Sequence, residues 1–181
     1  MLTILANAGL PMLFLAFPFA LYLLIPVIGL ETWLARNVPH IGAKRRFMDV
    51  LAANVFSTLV GWPLAWLVLV LLQIFVIPGG ASGYGVQTPL GAIASVTLQA
   101  AWLVPYEEDF YWMIPSAATV LMLPAFLVTI PSERLVLRYY WPQVPLNDRR
   151  RFVWTANLVS YALLVLAGLL WLCYSVMHHG K

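Results

Sequence analysis

Three observations predict an all-α integral membrane protein: four transmembrane helices, arranged as two tandem parallel hairpin repeats, plus one short interfacial or re-entrant external helix. Of the 181 residues, 62% are apolar and only 9% charged, far outside the soluble range. The charges gather in three clusters, Glu31 to Asp49, Glu107 to Asp109 and Glu133 to Arg151, plus Lys181, which leaves charge-free stretches at 1–30, 50–106, 110–132 and 152–180. Finally, one ordered set of features occurs twice. Ile25-Pro26 is followed by Glu31, Arg36, Arg45-Arg46-Phe47 and Ala53-Asn54-Val55-Phe56-Ser57; Ile130-Pro131 is followed by Glu133, Arg138, Arg150-Arg151-Phe152 and Ala156-Asn157-Leu158-Val159-Ser160. Spacings differ slightly between the copies, so the match is one of pattern and points to an internal duplication.

A helix needs about 20 apolar residues to cross a hydrocarbon core of about 30 Å, so the first, third and fourth charge-free stretches each hold one span. The second holds one span and something more. The chain is therefore one membrane domain, 1–181, with repeat half one at 8–78, an external loop and short helix at 79–111, and repeat half two at 112–177.

The net charge of +3 does not call for nucleic acid, because every lysine and arginine except Lys181 falls in two segments. Arg36, Lys44, Arg45 and Arg46 make one; Arg134, Arg138, Arg149, Arg150 and Arg151 make the other. The positive-inside rule puts both in the cytoplasm, with Arg36, Arg45, Arg46, Arg138, Arg149, Arg150 and Arg151 as inner-face anchors, and puts both termini outside. The acidic cluster Glu107-Glu108-Asp109 then faces outward. No basic residue precedes the first apolar run, which exceeds the usual signal-peptide core of about 7–15 residues, so the N-terminus reads as a retained span. The single cysteine, Cys173, excludes an intramolecular disulfide.

In chain order, span one is expected from Ala8 to Trp33, with Pro11 in its first turn and Pro18 and Pro26 bending it. A basic turn, Asn37 to Arg46, contains Pro39, His40 and Gly42, with His40 a solvated loop residue. Asp49 suits the start of span two, Met48 to Val76, where a negative charge meets the helix dipole. Gly61-Trp62-Pro63 marks a kink, and Gln73 is placed to bond a neighbouring helix. Pro78 to Gly85 is a flexible loop by composition. Thr88-Pro89 starts a helix and Pro105 closes it; 16 residues would cover only about 24 Å, short of a crossing. If it crossed, the basic residues from Arg134 onward would lie outside, so Pro89 to Val104 is read as interfacial or re-entrant. Trp102, Tyr106, Phe110, Tyr111 and Trp112 suit an outer aromatic belt, and Tyr139, Tyr140 and Trp141 an inner one. Span three runs from Trp112 to Arg138 through Pro115, Pro124 and Pro131. Pro142 to Asn147 is a turn, and span four runs from Val153 to Val176.

Helical rise places the repeated polar residues at one depth. Asn54 lies about 12 Å beyond Arg46, Asn157 about 9 Å beyond Arg151, and Glu31 about 7.5 Å before Arg36. Asn54 and Ser57, like Asn157 and Ser160, share a helix face. The expectation is a polar layer in the inner third of the membrane, where Glu31 and Glu133 accept hydrogen bonds from Asn54, Asn157, Ser57 and Ser160, with Arg36 and Arg138 nearby. Such a layer ties helices together, since polar side chains between membrane helices supply hydrogen bonds of roughly 0.6 kcal/mol. The alternative is that Glu31 or Glu133 carries a proton or binds an ion.

No histidine lies within a span, and no Cys-x-x-Cys-His, Gly-rich phosphate loop or His-Glu-x-x-His occurs, so neither a cofactor, a metal nor a familiar enzyme chemistry is indicated. His178-His179 is read as part of a disordered tail, a metal-binding pair being the less favoured reading, and Cys173 as a small apolar residue. The paired Ile-Pro, Glu and Ala-Asn-x-x-Ser features look broadly like those of small bacterial inner-membrane proteins. The resulting expectation is a non-catalytic integral membrane subunit of a larger bacterial inner-membrane complex, its partners the lipid bilayer and other membrane-protein subunits. The alternative is a small oligomeric transporter or channel using Glu31 and Glu133.

Overall fold

Apolar sequence becomes helix here wherever the backbone must satisfy its own polar groups without water. The structure, a computed structural model, describes residues 10–76, 88–103 and 109–179. Four long helices are present: α1 (Met12–Leu34), α2 (Ala43–Val76), α4 (Phe110–Tyr140) and α5 (Leu146–His179). A shorter helix, α3 (Pro89–Gln99), lies between α2 and α4. All four long helices are long and apolar enough to cross a membrane, consistent with a multi-pass membrane protein. Their prolines, Pro18 and Pro26 in α1, Pro63 in α2, and Pro115, Pro124 and Pro131 in α4, all fall inside continuous helix.

The helix starts differ most from expectation. Helix α2 begins at Ala43 and not Met48, and α5 at Leu146 and not Val153, so Lys44 to Arg46 are helical instead of forming a turn, and Arg149 to Arg151 lie within α5 instead of before it. Arginine and lysine are good helix formers, and a helix that leaves the apolar layer need not stop there. Asp49 therefore sits in the second turn of α2 and not at its start, which has no acidic residue. His40, exposed in the turn between α1 and α2, takes a left-handed φ of 66°, a conformation in which histidine is enriched among non-glycine residues. The tail is helical through His179, where a disordered tail was expected. The Pro78 to Gly85 loop, Tyr106, Glu107 and Glu108 lie outside the described residues.

Short turns join α1 to α2 and α4 to α5, and the two turns meet. Arg45 on α2 donates to the Tyr140 carbonyl at the end of α4, 3.0 Å away, and Trp141 Nε1 donates to Asp49 at 2.8 Å. Trp141 is fully buried, so it belongs to the core and not to an aromatic belt; Tyr139 and Tyr140 are exposed. At the opposite end, Thr88 caps α3 by accepting from the Gly91 amide at 3.1 Å. Helix α3 stops at Gln99 and not Val104, because Trp102 and Leu103 (β2) pair with Leu10 and Pro11 (β1) in a two-residue antiparallel bridge. Trp66 Nε1 and Gln73 Nε2 tie α2 to the Ala101 and Trp102 carbonyls.

Helix α4 packs along both α2 and α5, whereas α1 lies mainly on α2 and more thinly on α5. Two apolar clusters result. One, at the basic end, centres on Val50, Ala53, Ile130, Leu137, Trp141, Phe152, Val153 and Ala156. The other, at the opposite end, centres on Met12, Val96, Leu103, Met113, Ala117 and Leu121. Along α2, Asn54 and Ser57 follow Val50 and Ala53; along α5, Asn157 and Ser160 follow Val153 and Ala156. A polar layer thus begins where the first apolar cluster stops.

Candidate functional site

Each glutamate is carried inward by its neighbours one turn away. Ile28 on α1 and Ala35, in the 3-10 turn that continues it, flank Glu31, and Ile130 and Leu137 flank Glu133 on α4; all six are buried. Residues three and four apart share a helix face, so burying the apolar pair buries the carboxyl group between them. The same logic applies to α2 and α5, where buried Val50 and Val153 each sit one turn before the buried asparagine.

The asparagines bind within their own hairpin and the serines bind across. Asn54 Nδ2 donates to Glu31 Oε2 at 2.7 Å and to the Val50 carbonyl at 3.1 Å. Asn157 Nδ2 donates to Glu133 Oε2 and, at 3.0 Å, to the Val153 carbonyl. Ser160 Oγ on α5 donates to Glu31 Oε1 on α1 at 2.7 Å, while Ser57 Oγ on α2 reaches Glu133 Oε1 on α4 at 3.3 Å. Ser57 shares its hydrogen with the Asn54 carbonyl at 3.1 Å, so that second contact is the looser one. All four carboxyl oxygens are occupied by side chains of this chain, and each glutamate is held by both hairpins.

The arginines take no part in these bonds. Arg36 is exposed and lies over the Trp33 ring, 4.2 Å from its centroid, and Arg138 is exposed. Neither forms an ion pair or hydrogen bond with a glutamate among the described residues. Among the described residues the single ion pair joins Arg45 to Asp49 at 3.6 Å. Arginines at the turns instead hold backbone carbonyl groups: Arg45 that of Tyr140, Arg46 that of Ile41 at 2.7 Å, and Arg149 that of Trp141 at 3.0 Å, which also accepts from the Val144 amide at 3.2 Å. Cys173 is exposed, and His178 stacks on Tyr174 and contacts its carbonyl at 3.0 Å. No group of three His, Cys, Asp or Glu side chains able to hold a metal occurs among the described residues.

On the α1 side the layer borders a cavity of about 580 Å³. Its wall is largely apolar, with Leu23, Val27, Met122 and Leu164 beside the polar Glu31, Asn54, Ser57 and Asn157. Two side chains not singled out from the sequence also line it: Thr129 Oγ1 and Tyr161 Oη share a hydrogen bond of 2.8 Å. Tyr161 follows Ser160 directly, but nothing local pairs it with Thr129. Asn157 Oδ1 is buried without a hydrogen-bond partner among the described residues. Chemically, this is a hydrogen-bonded clasp with an apolar chamber at one edge. Comparison with protein-family models, curated proteins and solved structures finds no match to this chain.

Proposed function

We propose that this chain is a non-catalytic integral membrane subunit of a larger bacterial inner-membrane complex, with a structural or assembly role. The observation that carries this reading is the crossed pattern of serine bonds: each carboxyl group gives one oxygen to the asparagine of its own hairpin and the other to the serine of the opposite hairpin. A polar layer spent in this way holds a scaffold together and leaves the outward faces free for neighbours. Those faces are rich in exposed aromatic side chains, among them Phe14, Phe75, Tyr139 and Tyr174. In this reading the chain is one domain built by tandem duplication, with parallel repeat halves. Its basic turns lie in the cytoplasm, both termini lie outside, and α3 is an interfacial or re-entrant helix. The paired Asn–Glu bonds of the two halves support the duplication.

The test is the native size and composition of the untagged protein, solubilised gently from its own membranes and analysed by native electrophoresis and mass spectrometry. Co-migration with a stoichiometric set of other subunits is expected. Migration alone, or as a homo-oligomer, would overturn the proposal in favour of a second reading, a small oligomeric transporter or channel. The contact of Glu31 with the cavity favours that alternative. It predicts that Glu31→Gln or Glu133→Gln abolishes flux in a protein that stays folded.

A further inference from the structure

Where α4 ends and α5 begins, four arginines contribute to the lining of one hollow of about 330 Å³: Arg134 and Arg138 from α4, Arg149 and Arg150 from α5. Spacing produces this convergence. Pro131, Arg134, Leu135 and Arg138 lie at helical offsets of three and four on one face of α4, and Leu146, Arg149 and Arg150 do the same on α5. Leu146, the first residue of α5, also lines the hollow, so the site lies beside the positive end of that helix's dipole.

Among the described residues these charges meet no carboxylate within ion-pair distance. Arg149 is committed to the Trp141 carbonyl, but Arg134, Arg138 and Arg150 form no hydrogen bond or ion pair among the described residues. Of the two acids adjacent to these arginines in sequence, Glu133 is buried and bonded to Asn157 and Ser57, and Asp148 lines a different hollow with Arg151 and Asn37. The other turn is arranged differently. There Arg45 meets Asp49, and Arg46 meets the Ile41 carbonyl. Unpaired cations gathered in a concavity call for an anion with several acceptor oxygens, and arginine's planar fork of donors matches phosphate. Exposed Leu135 and Leu146 at its rim give an acyl chain a surface to lie against.

We propose that this hollow is a phosphate-binding site, occupied by the headgroup of an anionic phospholipid or by a soluble phosphate ester. The full-length protein, in an uncharged detergent, is titrated with phosphatidylglycerol, phosphatidylcholine and pyrophosphate, and bound species are counted by native mass spectrometry. Phosphatidylglycerol is expected to be retained in preference to phosphatidylcholine. Arg134→Gln with Arg138→Gln is expected to weaken it about thirtyfold, because each basic side chain at an anionic surface contributes a factor of about five. Arg36→Gln with Lys44→Gln removes the same charge from the other turn and leaves affinity unchanged. Pyrophosphate binding with the same arginine dependence, and no preference between lipids, would assign the site to a soluble phosphate ester. Equal weakening by both double variants, or no anion binding at all, overturns the proposal. Should the Arg134/Arg138 variant fail to fold, the exposed Arg150→Gln alone carries the test, with a loss of about fivefold.

Discussion

Helices α1 and α4 each place a buried glutamate three residues after a buried isoleucine and four before a buried apolar residue, yet they occupy different places in the bundle. In α4, 44% of the apolar stretch is buried within the chain; in α1, only 11%. The difference lies in what surrounds the shared motif. Helix α4 presents Ala117, Ala118, Ala125 and Thr129, small side chains that let α2 and α5 approach it from two sides. Helix α1 leaves Phe14, Phe19, Tyr22 and Ile25 more than half exposed and, among its described residues, buries only Met12 at its start and Ile28 and Glu31 near its end. An identical polar clasp therefore serves a central helix and a peripheral one. The clasp sets the pairing, and the small residues set the depth of burial.

The largest effect should come from removing the clasp on the central helix. Glu133→Ala deprives Asn157 and Ser57 of their acceptor in a packed site and is expected to cost about 2–4 kcal/mol in a detergent unfolding titration. Glu31→Ala, beside an existing cavity, should cost about half as much by the same reasoning. Equal losses would erase the distinction between the helices.

Glycines sharpen it next. A Cβ at Gly168 on α5 would lie 2.5 Å from Thr119 Oγ1, which is bonded to the Pro115 carbonyl at 2.8 Å and so resists rotation. Gly168→Ala is expected to destabilise by about 1–3 kcal/mol through overpacking against α4. A Cβ at Gly29 on α1 meets nothing within 4 Å, so Gly29→Ala should stabilise by about 0.5–1 kcal/mol through reduced backbone entropy alone. Opposite signs in thermal unfolding are the expected outcome, and a destabilising Gly29→Ala would show α1 to be packed as closely as α4.

The smallest contrast is between the serines. Ser160→Ala removes a short, undivided bond and should cost about 0.6–1.7 kcal/mol, whereas Ser57→Ala, whose bond is longer and shared, should fall at or below the lower figure. A double-mutant cycle pairing each with its glutamate would measure the two couplings, and a larger value for Ser57 would contradict the geometry.

The four spans were legible because a charge-free stretch of membrane length has few alternatives to helix. The residues of the polar layer were legible because their helical offsets put Asn54 with Ser57 and Asn157 with Ser160. The helix starts at Ala43 and Leu146 were not, since arginines and lysines suit a solvated helix as well as a turn. Trp141 was misplaced because tryptophan's amphipathic ring fits a membrane interface and a buried hydrogen bond to Asp49 equally well. The bridge of Leu10–Pro11 with Trp102–Leu103 left no trace in its four residues.

By itself, the amino-acid sequence determined where helices form, which end of the bundle is basic, and which six polar residues lie at a common depth. Each depends on local spacing and on the cost of exposing backbone or charge to lipid. Only the tertiary structure decided that each serine crosses to the other hairpin's glutamate, that Arg36 and Arg138 form no bond with the glutamates of the layer, and that Arg134, Arg138, Arg149 and Arg150 share one hollow. Those outcomes depend on how closely α4 is approached by its neighbours, a property of summed side-chain volumes across helices that no single stretch of chain contains.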